Sequence, residues 1–493
     1  MSLRHILASF SAAALLFVAC LSATAQGGIT IDHNFSDWNG IETFQVSDTT
    51  GPLESVAFTS DEERIYLRLT YDRLIALDEG IIPHGTKLAF DLDGNPGSGQ
   101  FMGSFSGADV VVHLQDRYVS TAQSNGTNES ESLNSAQVRM APTYGGFDHE
   151  IAIDRSVNGI DGDQPLKWSV MCSSSGQQIS SDDNGVDLSE SSAVAMSTPL
   201  ERTDGTAVRL AFWNMNRRLD DASARAAMAR ILQATQPDVI AMSEVEDFSE
   251  TQVAELLNEW IPMEMGPWNV VKDDWDLMVA SRWPINGSYP EVYRQFPVVI
   301  ETGDVWGSDL MVTASHLKCC NGADQRQTEA DEYMAFLRDA MTPGGQVNLP
   351  YKTPVVYGGD LNMVGPGGAM HTLLTGDILN EAEHGPDFAP DWDGTRLAEL
   401  PCVQTDQAMN YTWRNDYSEW PAGKLDYILV QDGVAEVLRS FSLETASMSD
   451  ERLNQYGLEA GDALQASDHF IVVADLRKYD RPGTKPTKAK KGN

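Results

Sequence analysis

The 493-residue sequence predicts a multidomain protein, an N-terminal all-β sandwich followed by a C-terminal α/β domain. Three observations carry this. Before residue 180, short runs of alternating apolar and polar residues are separated by Gly, Pro, Asn and Asp, the pattern of half-buried strands joined by turns. After residue 206, strand-like runs alternate with helix-length segments. Between them, residues 181–205 are polar, acidic and rich in turn formers, with too little apolar material for a core, and are expected to be a linker.

Taken in chain order, Arg4 and His5 supply a short basic region, residues 6–19 an apolar run of signal-peptide length, and Ala23-Thr24-Ala25 a small-x-small cleavage site. Residues 1–25 are therefore expected to be a signal peptide and the protein secreted or periplasmic. Phe17-Val18-Ala19-Cys20 matches a lipobox loosely, with Phe17 where Leu is usual, so a lipid anchor at Cys20 is the lesser alternative. No later segment reaches the roughly 18 apolar residues of a spanning helix.

The front domain is assigned to residues 27–180. Its strands read at 64–71, 87–90 and 108–114. The stretches Ile29 to Trp38, Ile65 to Leu67 and Phe90 to Gly99 resemble the opening of family 9 carbohydrate-binding modules. That resemblance implies a β-sandwich that docks on polysaccharide or acts as a spacer, with Trp38 either stacked on a sugar or part of the core. Asp91, Asp93 and Asn95 offer oxygen ligands at alternate positions of a Gly-containing turn, a pattern that suits Ca²⁺ and equally suits a plain turn.

The formal charge of −38 excludes tight binding to duplex nucleic acid through Lys and Arg alone, and an acidic surface repels polyanions at long range. Beyond Cys20 there remain Cys172, Cys319, Cys320 and Cys402, an even number that in an exported chain predicts disulfides of undetermined pairing. A zinc site is the weaker reading, because adjacent cysteines lack C-x-x-C spacing. Residues 480–493, with Pro482, Pro486 and clustered lysines, are expected to form a basic disordered tail.

The second domain spans 206–479. Strands are expected at 207–213, 237–243, 277–281, 310–315, 354–357, 425–430 and 470–474, with a helix capped by Asp220 or Asp221 and running to Thr235, and another over 325–341. A polar residue stands at the end of nearly every strand. The ordered set Trp213-Asn214, Ser243-Glu244-Val245, Ser315-His316-Leu317, Gly358-Gly359-Asp360-Leu361-Asn362, Leu425-Asp426-Tyr427-Ile428 and Ser467-Asp468-His469 resembles the successive motifs of the endonuclease/exonuclease/phosphatase superfamily. Each motif alone is weak; six in order, each beside a strand, are specific. The resemblance implies the deoxyribonuclease I-like fold, an α/β four-layer sandwich with its site where loops of both sheets meet.

These residue types suit phosphate-ester hydrolysis. Mg²⁺ or Mn²⁺ takes hard oxygen ligands, here Glu244 with Asn214 beside it and Asp468 assisting. By resemblance Asp360 activates water, Asn362 orients water or phosphate, His469 held by Asp426 contacts the phosphoryl group, and His316 serves as a general acid. Tyr411-Thr412-Trp413 resembles a family signature that lines the cleft or packs, and Arg326 reaches phosphate or caps its helix.

The reading is a phosphodiesterase acting on extracellular nucleic acid, expected to be a monomer. The alternatives are a sphingomyelinase-like lipid phosphodiesterase, to which Val305-Trp306 would lend a membrane contact, and a non-catalytic polysaccharide-binding or adhesion protein. Lys318, Arg326 and Lys424 are the nearest cations in sequence, too few for a dianionic monoester, which favours diesters. The linker is expected to leave the halves separable.

Overall fold

The computed structural model describes residues 28–79, 83–162, 164–189, 191–264 and 266–479. The expected signal peptide, Cys20 and the basic tail lie outside the described residues. In the front half, alternation along each strand sends successive side chains to opposite faces. Two antiparallel sheets result. One has the order Thr43–Gln45, Leu53–Ser60, Arg64–Ile75, Gly146–Asp154, Val138–Ala141; the other Gln177–Ser180, Lys167–Cys172, Thr86–Asp91, Val110–His113, Tyr118–Ala122, Asn128–Ser132. Leu67, Leu69, Phe90, Val112 and Trp168 share the apolar layer between them.

The back half contains two six-stranded sheets. The first runs Asn269–Lys272, Met278–Ser281, Val239–Ser243, Val208–Asn214, Val472–Lys478, Ala435–Ser442, and the second Ile285–Ser288, Gln295–Ile300, Leu310–His316, Val355–Asp360, Asp426–Val430, Ala398–Glu399. Each sheet holds one parallel pair at its centre, Val208–Asn214 with Val239–Ser243 and Leu310–His316 with Val355–Asp360. Period-two alternation sorts the side chains. Leu210 and Phe212 meet Val312 and Val356 between the sheets, whereas Ala211 and Trp213 face helices Ala222–Thr235 and Glu250–Trp260. On the far side Tyr357 and Leu429 face helix Ala323–Met341. Helices therefore cover both outer faces, the four-layer arrangement that the resemblance implies.

Several elements escaped the sequence reading. Gln295–Ile300 contains Pro297, which argues against an interior strand, but its neighbour Ile285–Ser288 is short and shifts register between Ile285 and Gly287. Helix Ala222–Thr235 is capped by Asp221, whose carboxylate accepts from Ser223 and Ala224 N–H.

The expected linker departs from its composition. Val186 bridges Leu166, Ser189 N–H donates to Ser60 Oγ at 2.7 Å, Thr198 N–H donates to Thr405 O at 2.9 Å, and Leu200 is fully buried in the helix-side core of the back half. The two halves also share a core. Ala57, Tyr66, Ala141 and Ala152, on the outer face of the first front sheet, join Ile29, Ile31 and Trp38 in one cluster with Met409, Tyr411, Ala422, Ala463 and Phe470. That sheet is thus buried on both faces, and the expectation of separable halves is corrected. Trp38 is a core residue, its Nε1 donating to Glu150 Oε2 at 3.1 Å.

The disulfide expectation is also corrected. All four cysteines are free: Cys172 and Cys402 are buried in different cores, and burial pushes the Cys402 thiol up to about 12. Cys319 and Cys320 are neighbours in a turn. Trp306, assigned to a possible membrane contact, is buried between the sheets, and among the described residues no helix is long and apolar enough to cross a membrane.

Trp38→Ala should cost about 3–5 kcal/mol, the usual price of emptying a large aromatic site. Because its cluster belongs to both halves, calorimetry of the full chain should show one transition moved to lower temperature. Two well-separated transitions, with only the first displaced, would mean that the halves unfold independently.

Candidate active site

The parallel pairs bring the polar strand ends to one edge of the sandwich. Register sets Asn214 opposite Ser243, just before Glu244, and aligns His316, Asp360 and Asp426 across three adjacent strands. Asn214 joins the sheets: its Nδ2 donates to Glu244 Oε1 and to Asp360 Oδ2, each at 3.1 Å. Its Oδ1 accepts the Asn216 N–H at 2.9 Å, which fixes the amide orientation. Glu244 and Asn362 both adopt left-handed backbone, φ +56° and +48°, a costly conformation for residues with a side chain and one that clusters at functional sites.

Two imidazole–carboxylate pairs flank Asp360. His469 Nδ1 lies 2.9 Å from Asp426 Oδ2, and His316 Nδ1 lies 2.5 Å from Asp276 Oδ2. Each pairing turns Nε2 toward Asp360 Oδ2, and both Nε2 atoms lie 3.7 Å from it. Burial opposes charge on His469, but Asp426 and Asp360 outweigh it and raise the imidazole to about 10. Burial likewise opposes charge on His316, and Asp276 and Asp360 still raise it. Burial pushes the Asp360 carboxyl upward against the pull of His469 and His316.

The surrounding hydrogen bonds hold these groups still. Asp360 Oδ1 accepts the Asn362 N–H at 3.0 Å, and Asn362 Nδ2 donates to Leu317 O at 3.1 Å. The Thr412 hydroxyl donates to Asp426 Oδ2 at 2.7 Å and accepts the Asp426 N–H at 2.9 Å. Trp413 Nε1 donates to Asp468 Oδ2 at 3.2 Å, so the Tyr411-Thr412-Trp413 segment contributes one residue to each of three tasks: Tyr411 packs, Thr412 positions, Trp413 lines the cleft.

The cleft has a volume of about 500 Å³. Glu244, Asp360, Asn362, Asp468, His316 and His469 all line it, and Asn214 and Asp426 stand directly behind. The front half supplies part of the wall through Asp78, Glu79 and Thr143. Burial first, and then Glu79, pushes the Asp78 carboxyl up to about 7. Two of the three expected cations are committed elsewhere. Arg326 is buried and donates to Lys318 O, Cys320 O and Val364 O, and Lys424 Nζ donates to Glu399 Oε1 and Leu400 O. Arg217, Arg294 and Lys318 line the cleft instead.

The donor set fits a hard divalent cation, which is held by one or two carboxylates together with substrate phosphate. Glu244 offers a partly exposed carboxylate beside Asn214, and Asp468 a second one in the same cleft. In the front half, Asp91 and Asp93 meet Asp109 with ligand atoms within 4.8 Å. Asn95 is not part of that group; its Oδ1 accepts the Gly97 N–H in a turn.

Sequence reasoning missed Asp276, Arg217 and Arg294, and it named Thr412 within its motif without the role of holding Asp426. Asp276 was legible in principle, as a carboxylate beside Trp275 at the mouth of strand Met278–Ser281, but which histidine it would meet was not.

The family described as Endonuclease/Exonuclease/phosphatase family matches residues 211–469. No curated protein matches the chain. Among solved structures, D. rerio TDP2 complexed with single-strand DNA product is 14% identical, covering 55% of this chain and 98% of that one with a TM-score of 0.36. The human Nocturnin catalytic domain with bound sulfate is also 14% identical, covering 57% and 96% with a TM-score of 0.36. A protein of Leptotrichia buccalis is similar at 14% identity, 55% and 99% coverage and a TM-score of 0.36.

In metal-free protein, NMR titration of His469 should give a midpoint near 10, against the ordinary 6.5, and Asp426→Asn should lower it. A raised imidazole stabilises the fold fully below 6.5 and loses that contribution as pH rises through about 10. The melting temperature should therefore fall over this window, less steeply in Asp426→Asn. A wild-type midpoint at 6.5 would contradict the charged pairing.

Proposed function

Because the chain belongs to the endonuclease/exonuclease/phosphatase family and is a metal-dependent phosphoesterase, we propose that it is a secreted phosphodiesterase acting on nucleic acid with Mg²⁺ or Mn²⁺. The observation that carries the reading is the approach of two carboxylate-backed imidazoles to Asp360 beside Glu244. Glu244, with Asn214 and Asp468, would hold the cation, which supplies charge neutralisation on the phosphoryl oxygens and polarises the P–O bond. Asp360 takes the proton of the attacking water; burial raises its basicity against the pull of the two imidazoles. Asn362 orients that water. His469, charged and fixed by Asp426, binds a phosphoryl oxygen, and His316, charged by Asp276, protonates the leaving oxygen.

The charge balance supports a diester. Arg217 is paired with Glu246, and Arg294 spends its guanidinium on His316 O and Leu317 O, so Lys318 is the least committed cation in the cleft. Asp78 and Glu79 place carboxyls rather than cations on the wall, which leaves a dianion without partners there. On the rim, Trp275 and Tyr293 stand exposed, rings edge to face at 5.7 Å, next to the cleft residues Asp276 and Arg294. Exposed rings of this kind stack on unpaired bases irrespective of sequence, which supports nucleic acid over lipid. Our reading of the front domain keeps Ca²⁺, now at Asp91, Asp93 and Asp109. Trp38 is buried and offers no sugar platform, so polysaccharide binding rests only on the resemblance of the front half to carbohydrate-binding modules.

With purified full-length protein, bis-p-nitrophenyl phosphate should be hydrolysed with Mg²⁺ or Mn²⁺ and not after chelation. Glu244→Ala and His469→Ala should each lower turnover by at least about 10²–10⁴-fold while the fold survives. Single-stranded nucleic acid should be cleaved faster than sphingomyelin or a simple monoester, and more slowly as salt rises. Wild-type rates in either variant would remove the site assignment; exclusive monoester hydrolysis would overturn the diester reading.

A further inference from the structure

The wall contributed by the front half does more than enclose space. Thr143 follows the end of strand Val138–Ala141 by two residues, and its hydroxyl lies 2.7 Å from Met363 O and 3.0 Å from Lys424 O. Met363 immediately follows Asn362; Lys424 stands two residues before Asp426. One proton shared between two carbonyls therefore ties the loop after the Asp360–Asn362 segment to the loop that enters the strand of Asp426. The fit is close. Thr143 Cγ2 rests on Gly423, where an added Cβ would lie 2.3 Å away, so the approach requires glycine.

Neighbouring contacts fix Thr143 itself. Tyr144 forms a bridge to Gly365, and Gly145 N–H donates to Gly365 O at 2.6 Å. Asn134 Nδ2 donates to Trp420 O at 2.7 Å while its Oδ1 accepts the Ala422 N–H at 2.8 Å, and Arg117 lies over the Trp420 ring at 3.8 Å. The front sheet thus grips both loops, with Thr143 at the point where they meet.

We propose that the β-sandwich is a working wall of the active site and that Thr143 is a positioning residue, setting the separation of the loop that carries Asn362 from the loop that enters the strand of Asp426. Its hydroxyl is committed to the two loop carbonyls; it acts through Asn362, which orients water, and through Asp426, which orients His469. The proposal rests on the phosphodiesterase reading for its kinetic consequence and on geometry alone for its structural one.

The test uses the full chain with Thr143→Val, which keeps the shape and removes the proton, and Thr143→Ser, which keeps the proton. With bis-p-nitrophenyl phosphate and Mg²⁺, Thr143→Val should lower kcat on the order of 10- to 100-fold, the scale on which a misplacement of about 1 Å acts, with KM little changed. Thr143→Ser should restore kcat. Without metal or substrate, deuterium uptake at the amides of residues 361–367 and 423–427 should rise in Thr143→Val and return to the wild-type level in Thr143→Ser. Wild-type kcat and exchange in Thr143→Val would overturn the proposal, as would a loss not rescued by Ser and accompanied by faster exchange throughout the molecule. If wild-type protein hydrolyses no diester, the functional reading fails, and the exchange measurement still decides whether Thr143 holds the two loops.

Discussion

Face-to-face packing of the two back-half sheets through an aliphatic layer is the constraint from which the site follows. Leu210, Phe212, Val312, Val356 and Ile428 fill the layer, and helices seal both outer faces. Aligned sheets lie about 10 Å apart. Their central parallel pairs end at a common edge, so Asn214 and Glu244 from one sheet can meet His316, Asp360 and Asp426 from the other. The 3.1 Å bonds from Asn214 to Glu244 and Asp360 are where the two sheets join chemically.

A buried carboxylate between two imidazoles is costly unless each partner is oriented and its remaining bonds are met. Here every charged group has a second tie: His469 to Asp426, Asp426 to Thr412, His316 to Asp276, Asp360 to the Asn362 N–H. This explains why a chain with formal charge −38 builds a phosphate-directed cleft with few free cations. Beside Lys318, the positive charge facing a substrate comes from imidazoles raised by their neighbouring carboxylates, while Arg326 and Lys424 hold loops together.

The front half is bound to this scheme by an ordinary requirement of sheets. A face with Ala57, Tyr66, Ala141 and Ala152 must be covered, and the back half covers it with Met409, Tyr411 and Phe470. Small residues on that face allow close approach, which brings Thr143 and Asn134 within hydrogen-bonding distance of catalytic-domain loops. A domain read as a polysaccharide-docking module or a spacer becomes part of the cleft because its second face is apolar too.

What the sequence by itself determined was local and periodic. Alternation placed most strands of the back half, an acidic cap at Asp220 or Asp221 started its helix, and polar residues at successive strand ends marked Asn214, Glu244, His316, Asp360, Asp426 and His469, because a strand end is where a side chain leaves the core with a fixed direction. Tertiary structure alone decided which of these share partners. Asp276 stands 40 positions from His316, Thr143 is 281 from Lys424, and the four cysteines fall in separate environments or side by side, so no spacing rule could pair them. The linker misled for the same reason: its polar composition reports how little core it can build alone, whereas the burial of Leu200 depends on the helix-side core of the back half, which exists only once that half has folded.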